Sequence, residues 1–221
     1  MRVPTSLLLA GALALSGCNE LVSPPRVGAY EYRLFEQREG GGTDTLAFRW
    51  PRGELPVRFW VAPDNPLRSH LETAITRWEG AFLYGEWRGT IVADSSTADI
   101  HVFNRPPSQG DLQSNLRRLE AMAPECRGAY DFTTNVESTI LLRPMRLYVW
   151  PRLPTGTPEM ERCYSITTTH EVGHALGIFE HSPTNSDVMF PDPTLDGLSE
   201  RDRATAELLY HAPVKITPGP R

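Results

Sequence analysis

The sequence predicts an α+β fold, and three observations carry that expectation. Short segments of alternating character, of which Leu55–Val61 (LPVRFWV) is the clearest, read as half-buried strands. Three segments read as full helices, one from apolar residues three and four apart and two from their capping residues. The chain has 221 residues at 40% hydrophobic content, enough for one ordinary core with short appendages.

Residues 1–17 read as a secretory leader, with one basic residue, Arg2, an apolar run from Leu7 to Leu15, and small residues after it. Leu15-Ser16-Gly17-Cys18 resembles a bacterial lipobox, which implies cleavage before Cys18 and lipidation of the new N-terminus. Asn19 is not the aspartate that holds such lipoproteins at the inner membrane, so the resemblance points to the outer membrane or the cell surface. The expected location is extracytoplasmic and lipid-anchored, and the alternative is a soluble secreted protein. Residues 18–30, with Ser23-Pro24-Pro25, read as a tether. Residues 31–53 read as an N-terminal extension. It holds two short strand-like pieces around Gly40-Gly41-Gly42, a hairpin with no assigned role.

The domain proper is expected over residues 54–211. After the Leu55–Val61 strand, Leu67, Leu71, Ile75, Trp78 and Phe82 mark a helix over about 66–83, with Trp78 in the core. Strands are expected over 85–93 and 98–103, and His101 in the second reads as a structural histidine. Leu112, Leu116, Leu119 and Met122 suggest a short helix, and Gly128–Thr134 a strand. Residues 139–143 and 145–150 read as further strand broken by Pro144, which argues for an edge or a bulge. Thr157-Pro158-Glu159 opens a helix that Gly177 stops after Leu176. Ser199 caps the last helix, which runs to about Tyr210, and residues 212–221 read as a flexible tail. No basic patch suggests nucleic acid, and the formal charge is −5.

The most informative stretch is His170–His181, HEVGHALGIFEH, which holds three of the six histidines. Residues four apart on a helix rise about 6 Å and share a face, so His170 and His174 can grip one cation. Glu171 then lies beside that cation. Gly177 can adopt the left-handed conformation that ends a helix, so the chain can turn back and deliver a third ligand. Three neutral imidazoles suit Zn²⁺ and leave a fourth position for water, as a catalytic site requires. Zinc lowers the pKa of such a water and polarises a carbonyl, with Glu171 taking the proton and passing it to the leaving amine.

HEVGHALG, then His181-Ser182, then Asp187-Val188-Met189-Phe190-Pro191, resembles the matrixin branch of the metzincin zinc endopeptidases. The likeness covers about residues 54 to 211 and includes the order of the strands and helices around the motif. It implies a twisted mixed five-stranded sheet with three main helices and a zinc cleft, acting on protein or peptide substrates. It also implies that Met189 forms a tight turn beneath the metal, and that Ile166, Phe190 and Pro191 line the pocket for the residue after the scissile bond. Metzincins place the third ligand three residues after the glycine, where this chain has Glu180 and His181 follows. Either the loop carries one extra residue and His181 ligates, or Glu180 does. The following block to Met189 favours His181. The tyrosine that some metzincins carry two residues after the turn methionine is replaced by Pro191, leaving transition-state stabilisation to zinc and backbone donors.

With Cys18 set aside, Cys126 and Cys163 form an even pair in an oxidising compartment, and a disulfide is expected. The alternative role, a cysteine held on zinc as a latency switch, fits poorly because neither lies in a pro-segment. Asp187 reads as a turn-former. Asp192 and Asp196 flank a Pro-Thr-Leu loop that reads as solvated, and no calcium is assigned. Two other functions share the same ligands: a zinc amidase acting on cell-wall peptides, and a non-catalytic surface lipoprotein that retains the fold.

Overall fold

The computed structural model describes residues 28–37, 41–108, 119–120, 125–135 and 137–221. The leader, Cys18 and most of the tether lie outside the described residues. The extension forms the expected hairpin, β1 (Leu34–Gln37) against β2 (Thr43–Leu46). It is not an appendage, because Tyr32, Phe48 and Trp50, together with Tyr30 at the end of the tether, are buried in the main core.

The central sheet is mixed and mostly parallel. It is built from β3 (Val57–Val61), β4 (Gly89–Ile91), β5 (Ile100–Phe103), β6 (Leu119–Glu120), β7 (Gly128–Thr134) and β8 (Ile140–Val149) in the order β4-β3-β5-β8-β7-β6. A further strand, β9 (Thr217–Pro218), pairs with β8. The expected five strands are present, and two short pairings raise the sheet to seven. Of these, β6 falls where a short helix was expected over Leu112–Met122, most of which is outside the described residues, and it pairs antiparallel with β7. The other, β9, belongs to the expected flexible tail. That tail is packed instead: Ile216 is buried and bridges Phe48, and the Arg221 guanidinium pairs with Asp99 and Glu54.

Pro144 interrupts nothing. Residues 140–149 form one strand of ten residues in the interior of the sheet, so the edge expected there is not found. Pro144 is accommodated because the β7–β8 register shifts between Asp131↔Arg146 and Thr133↔Leu142, the bulge alternative. On the other side, β8 pairs with β5 only from Met145 and with β9 only at Ile140 and Leu141. No ladder bond is asked of the missing N–H.

Three α-helices complete the described fold: α1 (Leu67–Glu79), α2 (Pro158–Leu176) and α3 (Glu200–His211). Helices α1 and α2 pack on each other and both touch the sheet. The limits of α2 follow from its caps. The Thr157 side chain accepts from Met160 N, Pro158 takes the first turn, and Gly177 ends the helix at φ 115°. Ile178 N then donates to Gly173 O, and Gly177 N to His174 O, closing the C-terminus with a reversed turn. A side chain at Gly177 is excluded twice, by that φ and by the Phe48 carbonyl, 2.1 Å from where a Cβ would stand.

Almost every residue of α2 from Met160 onward is buried. Tryptophans seal its flanks: Trp78 Nε1 donates to Thr169 O and Trp50 Nε1 to Ala175 O, both at 2.8 Å. Helix α3 begins with the Ser199 cap, reciprocated by Asp202 in a capping box. Among the described residues no helix is long and apolar enough to cross a membrane.

Candidate metal centre

Burial of α2 carries two histidines into the core, and the Gly177 turn returns a third. His170 and His174 are each 1% exposed, while His181 is partly accessible. Their ligand atoms all lie within 4.8 Å of one another, the only such His/Cys/Asp/Glu group among the described residues. Glu180 is outside it. The extra residue between Gly177 and the third histidine is thus absorbed by the loop.

The tautomers follow from the backbone. His170 Nδ1 lies 2.7 Å from the Val188 carbonyl and His174 Nδ1 2.6 Å from the Ile178 carbonyl. A carbonyl only accepts, so each Nδ1 carries the proton and each Nε2 presents a lone pair. Those Nε2 atoms stand 3.0 Å apart, and His170 Nε2 is 3.2 Å from His181 Nε2. Tetrahedral zinc with bonds of about 2.0–2.1 Å holds its nitrogens about 3.3 Å apart, so the set fits a metal ion. Lone pairs facing at this distance repel without a cation between them. Burial also pushes the His170 pKa down to about 4, so the imidazole is neutral at physiological pH and free to ligate.

Glu171, one residue along α2 from His170, is 2% exposed. Its carboxylate lies against Gly128, the first residue of β7: a Cβ there would stand 2.0 Å from Oε1. The strand therefore approaches the glutamate with no side chain between them. Met189 is fully buried and packed on Gly173, the residue before His174. A Cβ at Gly173 would stand 2.3 Å from Met189 Sδ and 2.7 Å from Trp78 Cζ2. The Met189 segment is tied to the histidines, because Ser182 N donates to Met189 O and Val188 O accepts from His170 Nδ1.

The remaining expected residues divide. Cys126 and Cys163 form the disulfide, with Cα atoms 5.1 Å apart, joining the segment that enters β7 to α2. Ile166 is buried and lines a cavity of about 540 Å³ together with Cys126, Cys163, Leu153 and Pro193. Phe190 and Pro191 do not line it. Asp192, Pro193 and Thr194 close its other side, and Pro191 is exposed. Asp187 is a buried bridge outside the ligand group, accepting from Ser182, Ser199 and Arg201. Asp196 pairs with Arg77 and accepts from Ser165. His101 is outside the ligand group, with Nε2 3.0 Å from Ser95 O.

Sequence reasoning missed several supports. Tyr130 stacks on His174 with ring centroids 4.1 Å apart, and its hydroxyl donates to Phe179 O. Asp202 holds the backbone of Val188 and Met189. Gly173 did leave a signal: a glycine inside a helix costs about 1 kcal/mol relative to alanine, which asks for a packing reason. No protein-family model matches the chain, and no curated protein matches it.

Proposed function

We propose that the protein is a zinc-dependent endopeptidase of matrixin-like, metzincin type, with His170, His174 and His181 as ligands and Glu171 as general base. The observation that carries this reading is the pairing of three convergent imidazoles with a buried carboxylate on the same helix. A structural zinc site has no use for such a carboxylate. Zinc, when bound, supplies Lewis-acid activation of water and of a peptide carbonyl.

The chain's own groups do the rest. His170 and His174 are locked in one tautomer by the Val188 and Ile178 carbonyls, so their lone pairs are aimed before any ion arrives. Glu171, held in a water-poor setting against Gly128, accepts the proton of the attacking water and returns it to the leaving amine. The cavity lined in part by Ile166, itself one helical turn before His170, receives a substrate side chain in this reading. In this proposal Cys18 carries a lipid that anchors the enzyme on the outer side of a bacterial membrane.

The test is to incubate the zinc-loaded protein with casein-type substrate and with peptidoglycan in parallel, with and without chelator, and to read the products by mass spectrometry. Chelator-sensitive internal cleavage of casein is expected. Products from peptidoglycan alone would replace the endopeptidase with a cell-wall amidase, and no products from either would favour a binding module.

A further inference from the structure

Tyr30, the last residue of the expected tether, is linked to the candidate metal centre through a continuous set of buried bonds. Tyr30 docks on α3, its backbone N–H donating to Thr205 Oγ1 at 3.1 Å and its hydroxyl to Asp202 Oδ1 at 2.7 Å. Asp202 is fully buried, and Oδ2 accepts from Val188 N and Ser199 N, both at 2.9 Å. Met189 N donates to Oδ1 over a longer 3.4 Å. The Val188 carbonyl, at the other end of that residue, receives His170 Nδ1–H.

A second path starts from the same ring. The Arg201 guanidinium lies over Tyr30, 5.9 Å from the ring centre, and Arg201 Nε donates to Asp187 Oδ2 at 2.9 Å. Asp187 also accepts from Ser182, the residue directly after His181. Tyr30 thus touches the supports of two of the three ligands. One carboxylate holds the turn that orients His170, and the other holds the residue that follows His181.

We infer that Tyr30 is a positioning residue of the metal centre, acting through Asp202 and Asp187 on His170 and His181. The inference rests on the reading of the three histidines as a metal centre, but not on peptidase activity. Burial, and then the Asp202 charge, raise the Tyr30 pKa well above its usual value, so the phenol stays a donor. Without that hydroxyl, Oδ1 keeps only the long bond from Met189 N. A buried carboxylate short of a donor turns towards what remains, and here that is the backbone under His170.

The experiment measures zinc affinity by chelator competition, and the absorption of the cobalt-substituted protein, for the full chain, Tyr30→Phe and Tyr164→Phe. Tyr164 is the matched control, a buried tyrosine whose hydroxyl bonds to Asn104, outside both paths. Tyr30→Phe is expected to weaken zinc binding about tenfold and to shift the cobalt bands, the low end of what partners of metal ligands contribute. Tyr164→Phe should leave both unchanged at a similar loss of thermal stability. Should Tyr30→Phe not fold, Arg201→Gln removes the guanidinium that links the ring to Asp187 and is read the same way. Unchanged zinc and cobalt binding in the Tyr30 variant, or equal weakening in the control, overturns the inference. The expected pattern in a protein without peptidase activity sustains it and rejects the endopeptidase reading, whereas a wild-type chain that binds no zinc rejects both.

Discussion

On the proposed endopeptidase reading, one methyl group at Gly128 should all but abolish peptide cleavage while leaving zinc binding intact. A Cβ at this position would stand 2.0 Å from Glu171 Oε1, 2.8 Å from its Cδ and 2.8 Å from Thr167 Cγ2. Carbon and oxygen atoms need about 3.2 Å or more, so the carboxylate must retreat by over about 1 Å. That retreat is cheap in stability, because the end of a glutamate side chain can swing. The stiff Thr167 side chain must also yield, and the whole change costs about 1 kcal/mol, the low end for overpacking. Catalysis suffers more. A displacement of about 1 Å in a reacting group costs on the order of 100-fold in rate.

Gly128→Ala should therefore lower kcat about 100-fold, with KM and zinc content near wild type. The assay is steady-state peptide hydrolysis beside metal analysis and a thermal melt of the same preparation. A Gly128→Ala protein with wild-type kcat would refute the proposed role of Glu171 or its contact with β7. A loss of zinc in parallel with kcat would refute the division of labour between base and ligands.

Two further outcomes follow from the same packing. Gly173→Ala gains about 1 kcal/mol of helix propensity but sets a methyl 2.3 Å from Met189 Sδ and 2.7 Å from the buried Trp78 ring, so a net loss of stability is expected in denaturant titration. A more stable variant would show that the approach of Met189 to α2 is loose. In the metal-free protein, the folded-state pKa of His170 is about 4 against an ordinary 6.5, so the unfolded chain binds the extra proton. This contribution is complete above about pH 6.5 and is lost as the pH falls towards 4, up to about 3 kcal/mol. Unfolding of chelator-treated wild type and His170→Phe at pH 7 and pH 4.5 measures it, and an equal drop in both would contradict it.

The legible parts of the sequence were those fixed by local chemistry. Thr157, Pro158 and Gly177 bound α2 because caps act on their own neighbours, and the same turn returns His181 towards His170 and His174. Ser199 marked α3 in the same way. The illegible parts depend on partners far along the chain. Pro144 reads as a break because proline lacks a donor, yet its neighbours β5 and β9 happen to ask for none there. The tail looks polar and loose, but Ile216 finds Phe48 and Arg221 finds Asp99. Tyr30 and Trp50 carry no periodicity that announces burial, and only the fold shows them bonded to α3 and α2.

The central claim is that Glu171 performs proton transfer beside a zinc ion held by three histidines, and one comparison tests it most directly. Zinc-loaded wild type and Glu171→Ala, each purified free of other proteases, are assayed for metal content and peptide hydrolysis side by side. The prediction is equal zinc stoichiometry with cleavage reduced about 100- to 10,000-fold, the range expected for a lost general base. A zinc-loaded Glu171→Ala protein that cleaves at the wild-type rate would contradict it.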